Sequence, residues 1–366
     1  MNTHLRAAIG DAMTRLRTTD VAGATAAIQQ ALAGQPSSAR PKSEGSKPNE
    51  AGLKAPLQRR LGDVLQSLSA GRAQFTAGQR GPDPELAADE ADGRFRARSF
   101  SNARGSSRYK LYVPADHADR NLALVVMLHG CTQDPDDFAR GTRMNALADE
   151  FGLIIAYPHQ PRSANAQGCW NWFDARHQKR GAGEPAVLAG LAEALVAEFG
   201  IDRGRIFVAG LSAGGAMADV LASTYPDVFS AAGIHSGLPH GAASDMMSAF
   251  AAMKGTAKAV SPKRETNCRK IIIHGTADAT VHPSNGETLF DRSRGTSSQE
   301  LTTETTVNGR RVTRTLLAFN AGPTIAEYWV VQGGGHAWSG GDGTGSFTDA
   351  SGPDASREMI RFFLEG

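Results

Sequence analysis

From about residue 92 onward, short apolar runs alternate with longer amphipathic stretches. Runs such as ALVVML at 123–128 and KIII at 270–273 are apolar at nearly every position, as in strands buried on both faces of a parallel sheet. Seven strands are predicted, at residues 109–113, 122–128, 153–157, 205–209, 231–234, 270–273 and 326–331. Helical spacing of apolar residues predicts helices at 136–150, 184–199, 213–224 and 355–364. This alternation predicts an α/β domain over 92–366 with a mostly parallel central sheet and helices on both faces.

The first 91 residues have a different pattern. Residues 1–34 are predicted to be a helical extension of two short helices, with Leu5, Ile9, Met13 and Leu16 at helical spacing in the first. Residues 35–91 are interpreted as a largely disordered linker, since 35–60 are rich in Pro, Ser, Gly and Lys. Two short helices are too small to fold alone, so they either pack on the domain or mediate docking or self-association.

Charge and hydropathy exclude several partners. The net charge of +2 provides no global basic field, and nucleic acid is not an expected partner. The sequence contains no run of about 18 apolar residues, so no membrane span is expected. The N-terminal residues carry charges where a secretory signal needs an apolar stretch, so a cytoplasmic location is expected, with secretion by another route left open.

The three cysteines leave two alternatives. An odd number of cysteines fits a reducing compartment. A bridge between Cys131 and Cys169 is the alternative, because both flank loops that are predicted to lie near the site described next.

A candidate nucleophile lies between a predicted strand and a predicted helix. In Gly210-Leu-Ser212-Ala-Gly214, a serine flanked by glycines follows the strand at 205–209 and precedes the helix at 213–224. A tight turn of this kind holds the serine hydroxyl over the sheet, and the glycines avoid clashes with neighbouring backbone. The pentapeptide alone is weak evidence for a nucleophile, because a glycine-rich βα turn without catalytic function also matches it. Its strand-turn-helix context favours Ser212 as a nucleophile.

A serine nucleophile needs a base and a carboxylate, which on this fold follow it in the order acid, then base. Asp278 comes just after the strand KIII, and His336 lies in a glycine loop after the last strand. His282 lies too close to Asp278 in sequence to be the base. The spacing from His274 through Asp278 to His282 would suit metal ligands only on one helix, and its Gly and Pro indicate a loop, so no metal is expected.

Two backbone amides are candidates for an oxyanion hole. One is that of Ala213, directly after the nucleophile, and the other is that of Cys131, in the loop after the strand ALVVML. Trp170, Trp172 and Trp338 are candidate substrate-binding residues, although tryptophans in loops are as often plain packing. The insertion 238–268 is expected to be either a mobile lid or a fixed cap.

Taken together, these motifs resemble the polyhydroxybutyrate depolymerase family of esterases, which is closely related to feruloyl and acetylxylan esterases. The resemblance covers about 92–366 and rests on several motifs in the same order, LHGCTQDPDDF, GCWNWF, RIFVAGLSAGGAMADV, HGTADATVHP and GGGHAWSGG. It implies an α/β-hydrolase fold, the triad Ser212, Asp278 and His336, an oxyanion hole at Cys131 and Ala213, and ester hydrolysis without a metal or organic cofactor.

The expected function is therefore that of a serine carboxylic ester hydrolase acting on short-chain hydroxyalkanoate oligoesters or polyester through an acyl-enzyme. A feruloyl or acetylxylan-type esterase is the first alternative, since it uses the same machinery with another pocket. A non-catalytic scaffold or granule-associated protein, recruited through the N-terminal helices, is the second.

Overall fold

A computed structural model describes residues 93–119, 121–256, 268–294, 298–319 and 323–365. These residues belong to one compact unit of the chain, Arg80–Gly366. The helices predicted within 3–33, the proposed linker and the predicted domain boundary near residue 92 lie outside the described residues, and they stay predictions.

A ten-stranded sheet forms the centre of this unit. Its strands are β1 (Phe95–Asn102), β2 (Gly105–Tyr112), β3 (Ala123–Leu128), β4 (Leu153–Pro158), β5 (Ile206–Leu211), β6 (Ala231–His235), β7 (Arg269–Gly275), β8 (Ser298–Val307), β9 (Arg310–Phe319) and β10 (Thr324–Val331). They are ordered β1-β2-β4-β3-β5-β6-β7-β10-β9-β8, and the six strands from β4 to β10 are parallel. Antiparallel pairs close both edges, β1 with β2 and β9 with β8. Two short strands, β11 (Trp338–Ser339) and β12 (Thr348–Asp349), form a separate pair.

Seven α-helices accompany the sheet within the described ranges. They are α1 (Pro135–Thr142), α2 (Met144–Phe151), α3 (Gly183–Phe199), α4 (Ala213–Thr224), α5 (Met246–Met253), α6 (Ser284–Asp291) and α7 (Ala355–Leu364). One face of the sheet buries apolar residues of α3, α4 and α6, and the other buries those of α1, α2 and α7. Strands β3 and β4 are buried at every position, as expected for strands covered on both faces. No helix in the described part of the chain has both the length and the apolar character needed to cross a bilayer.

The seven predicted strands and three of the four predicted helices are confirmed, but the single helix predicted at 136–150 is wrong. The chain forms two helices there, separated at Arg143, whose φ of 54° is left-handed. This left-handed conformation ends the first helix. The position of Arg143 is held by its guanidinium, which pairs with Asp354 at 3.1 Å and donates to the Gly340 carbonyl at 2.9 Å. The sequence prediction also missed α6, the edge strands β1 and β8, and β9 next to β8.

Candidate active site

Ser212 lies on a strained turn between β5 and α4. Its φ of 57° and ψ of −117° are unusual for a residue with a side chain. Its amide donates to the His235 carbonyl at 2.9 Å, which fixes the turn to the end of β6. A Cβ at Gly214 would overlap the Leu128 carbonyl, and one at Gly210 would overlap the backbone of Gly214. The flanking glycines are therefore required by close backbone packing, as the sequence predicted.

Asp278 lies in the loop after β7 and is 5% exposed. Its Oδ1 accepts the backbone amides of Thr280 at 2.9 Å and Val281 at 2.8 Å. Burial opposes ionisation of this carboxyl, but hydrogen bonds from His274 and His336 outweigh it, so the pKa of Asp278 lies well below its ordinary value. The side chain is thus held as a carboxylate in a fixed orientation.

His336 lies in the loop after β10, and its Nδ1–H donates to Asp278 Oδ2 at 2.8 Å. The acid and base loops are also joined through their backbones. Ala277 N donates to the Gly334 carbonyl at 2.9 Å and Thr276 N to the Val331 carbonyl at 3.0 Å. This arrangement leaves Nε2 of His336 as the nitrogen free to take a proton.

The structure brings the acid and the base together, and it places the serine at the same edge of the sheet. Ser212 follows β5, Asp278 follows β7 and His336 follows β10, and the carboxyl ends of these parallel strands share one edge. Among the described residues no hydrogen bond joins the Ser212 hydroxyl to His336. Such bonds often form only in the complex with substrate, so the triad remains a prediction.

The predicted oxyanion loop packs against the serine turn. A Cβ at Gly130 would lie 3.6 Å from the Leu211 carbonyl oxygen, which shows how close the two segments are. Within the described part of the chain, the amides of Cys131 and Ala213 donate to no protein acceptor. Two unpaired amides on adjacent segments match the composition of an oxyanion hole.

Of the two alternatives for the cysteines, the structure has the bridge. Cys131 and Cys169 are joined, with their Cα atoms 4.2 Å apart, and Cys268 is buried and unbridged. The bridge fixes the oxyanion loop to the 159–182 segment, and the Thr132 amide donates to the Gln167 carbonyl at 2.8 Å beside it. Cys131 therefore has no free thiol in this state.

His235 is a residue of the site that the sequence did not single out. Its Nε2 accepts the Ser339 amide at 3.1 Å, so it links the end of β6 to the loop that carries His336. Its ring stacks on Trp338 with centroids 5.2 Å apart. Burial, together with the neighbouring His274 and His336, lowers the pKa of His235 to about 3, so the ring stays neutral.

The three candidate substrate-binding tryptophans are buried. Trp170, Trp172 and Trp338 are 2%, 5% and 1% exposed. The Trp170 indole donates to the His129 carbonyl at 3.1 Å, and that of Trp338 to Ser356 Oγ at 3.0 Å. Packing and loop support are the roles that the structure shows for them, while contact with substrate stays a prediction.

His274 and His282, the two histidines considered as metal ligands with Asp278, do not point at a common metal position. His274 Nε2 donates to the Val281 carbonyl at 2.9 Å and lies 3.4 Å from Asp278 Oδ2. The exposed His282 ring instead pairs with Ser284 Oγ at 2.9 Å. In the described ranges no group of three or more His, Cys, Asp or Glu residues is arranged to hold a metal ion.

The insertion at 238–268 includes α5, which is attached to the acid loop. His282 N donates to the Met253 carbonyl at 2.8 Å, and Asn285 Nδ2 to the Ala252 carbonyl at 2.9 Å. These bonds favour a fixed cap for the part up to residue 256. Residues 257–267 of this insertion lie outside the described residues, and for them the choice between lid and cap stays open.

A mostly parallel sheet covered on both faces, with a strained serine between a strand and a helix and an acid–base pair at the same edge, defines the α/β-hydrolase fold. The model of the family described as Esterase PHB depolymerase matches residues 107–294. The chain belongs to this family.

Relatives and solved structures agree with this assignment. Poly(3-hydroxyalkanoate) depolymerase C of Paucimonas lemoignei is 29% identical over 68% of this chain and 62% of its own length. Feruloyl esterase B of Neurospora crassa is 32% identical over 48% of this chain and 65% of its own length. The chain thus spans less than two thirds of either relative. The structure of an acetyl xylan esterase from Aspergillus awamori covers 71% of this chain and 94% of its own, with 20% identity and a TM-score of 0.52, and shows the shared fold.

Proposed function

We propose that the chain is a serine carboxylic ester hydrolase that works through an acyl-enzyme. The single observation that carries this proposal is the buried Asp278 carboxylate, which holds His336 at 2.8 Å at the sheet edge where Ser212 lies on a strained turn. Buried charges are costly unless paired, and this carboxylate is paired with the one histidine that follows the last parallel strand. The family assignment supports the same chemistry.

The reaction proceeds in two halves. In the first, Ser212 Oγ attacks the ester carbonyl while His336 Nε2 takes its proton, and Asp278 stabilises the resulting imidazolium. The amides of Cys131 and Ala213 donate to the oxyanion, which lowers the barrier where charge develops. The intermediate collapses as His336 returns the proton to the leaving alcohol. In the second half, water attacks the acyl-serine as His336 takes its proton, and His336 then returns that proton to Ser212 Oγ as the bond to the acyl group breaks and the carboxylic acid leaves.

Short-chain hydroxyalkanoate oligoesters are the proposed substrates. The match to the Paucimonas depolymerase extends over 68% of this chain, against 48% for the feruloyl esterase. Exposed apolar side chains on α5, next to the acid loop, also suit an apolar ester better than a sugar ester. Met246, Met247 and Phe250 are 51%, 79% and 56% exposed.

The test is an ester panel run on the wild type and on Ser212→Ala. Hydroxybutyrate oligomers, methyl ferulate and acetylated xylan are compared by kcat/KM. The wild type is expected to prefer the oligomers, and Ser212→Ala is expected to lose several orders of magnitude in kcat while it folds normally. Ser230→Ala, whose hydroxyl only donates to the Ile206 carbonyl, is the matched control and keeps its activity.

Each alternative function has its own outcome in this test. Preference for methyl ferulate or acetylated xylan replaces the hydroxyalkanoate proposal with the feruloyl or acetylxylan alternative, which the family relatives support. The absence of a fluorophosphonate adduct on Ser212 in the wild type would favour the non-catalytic scaffold.

A further inference from the structure

Gln133 is buried at the start of α1 and uses its whole side-chain amide. Its Oε1 accepts the Gly130 amide at 2.9 Å, and its Nε2 donates to Asp137 Oδ2 and to the Ser346 carbonyl, both at 3.0 Å. It is 6% exposed. An oxygen facing an N–H and a nitrogen facing a carboxylate and a carbonyl allow only one orientation of this amide.

The bond to Gly130 acts on the peptide just before the proposed oxyanion donor. Gly130 N is held by Gln133, and the Gly130 carbonyl accepts His129 Nδ1–H at 2.8 Å and Gln133 N at 3.3 Å. That carbonyl and the Cys131 amide belong to one planar peptide group. Holding both sides of Gly130 therefore fixes the direction of the Cys131 N–H, which has no acceptor among the described residues.

The same side chain reaches the loop that follows His336. Ser346 donates through its amide to Asp137 Oδ1 at 2.9 Å and through its hydroxyl to Asp137 Oδ2, and Gln133 bonds to both residues. Hydrogen bonds in this group lower the pKa of Asp137 against the opposing effect of its burial, so the acceptor is a carboxylate. Gln133 thus joins the oxyanion loop to the segment between β11 and β12, beyond the loop that carries the base.

We infer that Gln133 is a positioning residue for the oxyanion hole, directing the Cys131 amide at the developing oxyanion. This inference rests on the proposed ester hydrolase function. Its main consequence is that the loss of Gln133 weakens binding of the tetrahedral state and leaves proton transfer by His336 intact.

The experiment measures Gln133→Met in the full chain with p-nitrophenyl butyrate and an alkyl trifluoromethyl ketone. The ketone accepts Ser212 Oγ at its carbonyl carbon, the serine proton passes to His336, and the resulting oxyanion occupies the proposed hole. In Gln133→Met, kcat/KM is expected to fall about 10- to 100-fold and the inhibitor Ki to rise by a similar factor. The acid limb of the pH–rate profile is expected to stay in place, because the base is untouched.

Gln178→Met is the matched control, since Gln178 also donates twice to carbonyls, those of Trp172 and Ala243, and makes no hydrogen bond to described residues of the oxyanion loop. It is expected to keep kcat/KM and Ki. If Gln133→Met does not fold, Asp137→Ala removes the second half of the same link and is expected to lose about 3- to 10-fold in kcat/KM with a matching rise in Ki.

The inference would be overturned if the variants kept wild-type kcat/KM and Ki, or if they lost kcat/KM with an unchanged Ki. In both cases, a wild type that hydrolyses esters still supports the proposed function. A wild type that hydrolyses no ester contradicts the proposed function itself, and the inference falls with it.

Discussion

At the scale of single residues, Asp278 shows how the site fixes a charge. Burial alone would favour its neutral form, yet two histidine rings and two backbone amides donate to it, so its pKa lies well below the ordinary value. The carboxylate is therefore the form of this side chain at neutral pH. Because the carboxylate accepts the Nδ1–H of His336, the Nε2 atom of that ring faces away from Asp278.

The first prediction compares two histidines that lie close to Asp278 in the chain or in space. His336→Ala removes the ring that donates to Asp278, and kcat for ester hydrolysis is expected to fall by roughly four orders of magnitude or more. His282→Ala removes an exposed ring that pairs only with Ser284, and its kcat is expected to stay within about twofold of wild type. Equal losses in both variants, measured with p-nitrophenyl butyrate at matched thermal stability, would remove His336 from the role of base.

The Asp278–His336 pair and the strained turn at Ser212 could be predicted from sequence, because each follows a recognisable strand in the order that the fold requires. Gln133 and His235 could not. Gln133 is held by Ser346 and His235 is bonded to Ser339, and these partners lie 213 and 104 positions away in the sequence. No local pattern marks such pairs, and only the packed loops reveal them.

At the scale of elements, the parallel core was predictable because its strands are apolar throughout. The edge strand β8, SQELTTETTV, is mostly polar and is exposed from residue 299 to residue 306, so it lacks the pattern that marks a buried strand. The break between α1 and α2 escaped prediction for another reason. It is stabilised by Asp354 and Gly340, which are far away in sequence.

The contact between the acid and base loops supports a prediction about Gly275. A Cβ there would overlap the Gly334 carbonyl, so Gly275→Ala must displace one of the loops. We expect a loss of more than about tenfold in kcat and about 1–3 kcal/mol in the free energy of unfolding.

Gly335→Ala is the control within the base loop, because a Cβ at Gly335 meets nothing within 4 Å. It is expected to keep kcat and thermal stability close to wild type. Kinetics and thermal melts of both variants test the idea, and equal behaviour of the two would refute it.

At the scale of the whole molecule, the Cys131–Cys169 bridge bears on where the protein works. It closes a loop across a sequence separation of 38 and ties the oxyanion loop to its neighbour. Such bridges persist in oxidising compartments and are rare in the cytoplasm. The expected cytoplasmic location therefore stays a prediction, and the oxidation state of these two cysteines in the native cell is the observation that bears on it.

Buried neutral histidines predict how the stability of the fold depends on pH. Burial lowers the pKa of His235 to about 3 and that of His129 to about 4. In each ring Nδ1–H donates and Nε2 accepts a backbone amide, from Ser339 and from Gln160 respectively, so protonation would place N–H against N–H. An unfolded histidine takes up its proton near pH 6.5. Between about pH 6.5 and pH 4 the unfolded state therefore binds more protons, and stability falls as the pH is lowered through this window.

The last prediction isolates one of these protons with His235→Gln, whose amide oxygen can still accept the Ser339 amide. Each extra proton bound by the unfolded state contributes a slope of about 1.4 kcal/mol per pH unit to the free energy of unfolding. Urea unfolding between pH 4.5 and 6.5 is expected to give a slope smaller by about that amount in the variant than in the wild type. Above pH 7 the slopes should agree, because the ring is then neutral in both states. Equal slopes in the acid window would mean that His235 is already protonated in the folded protein.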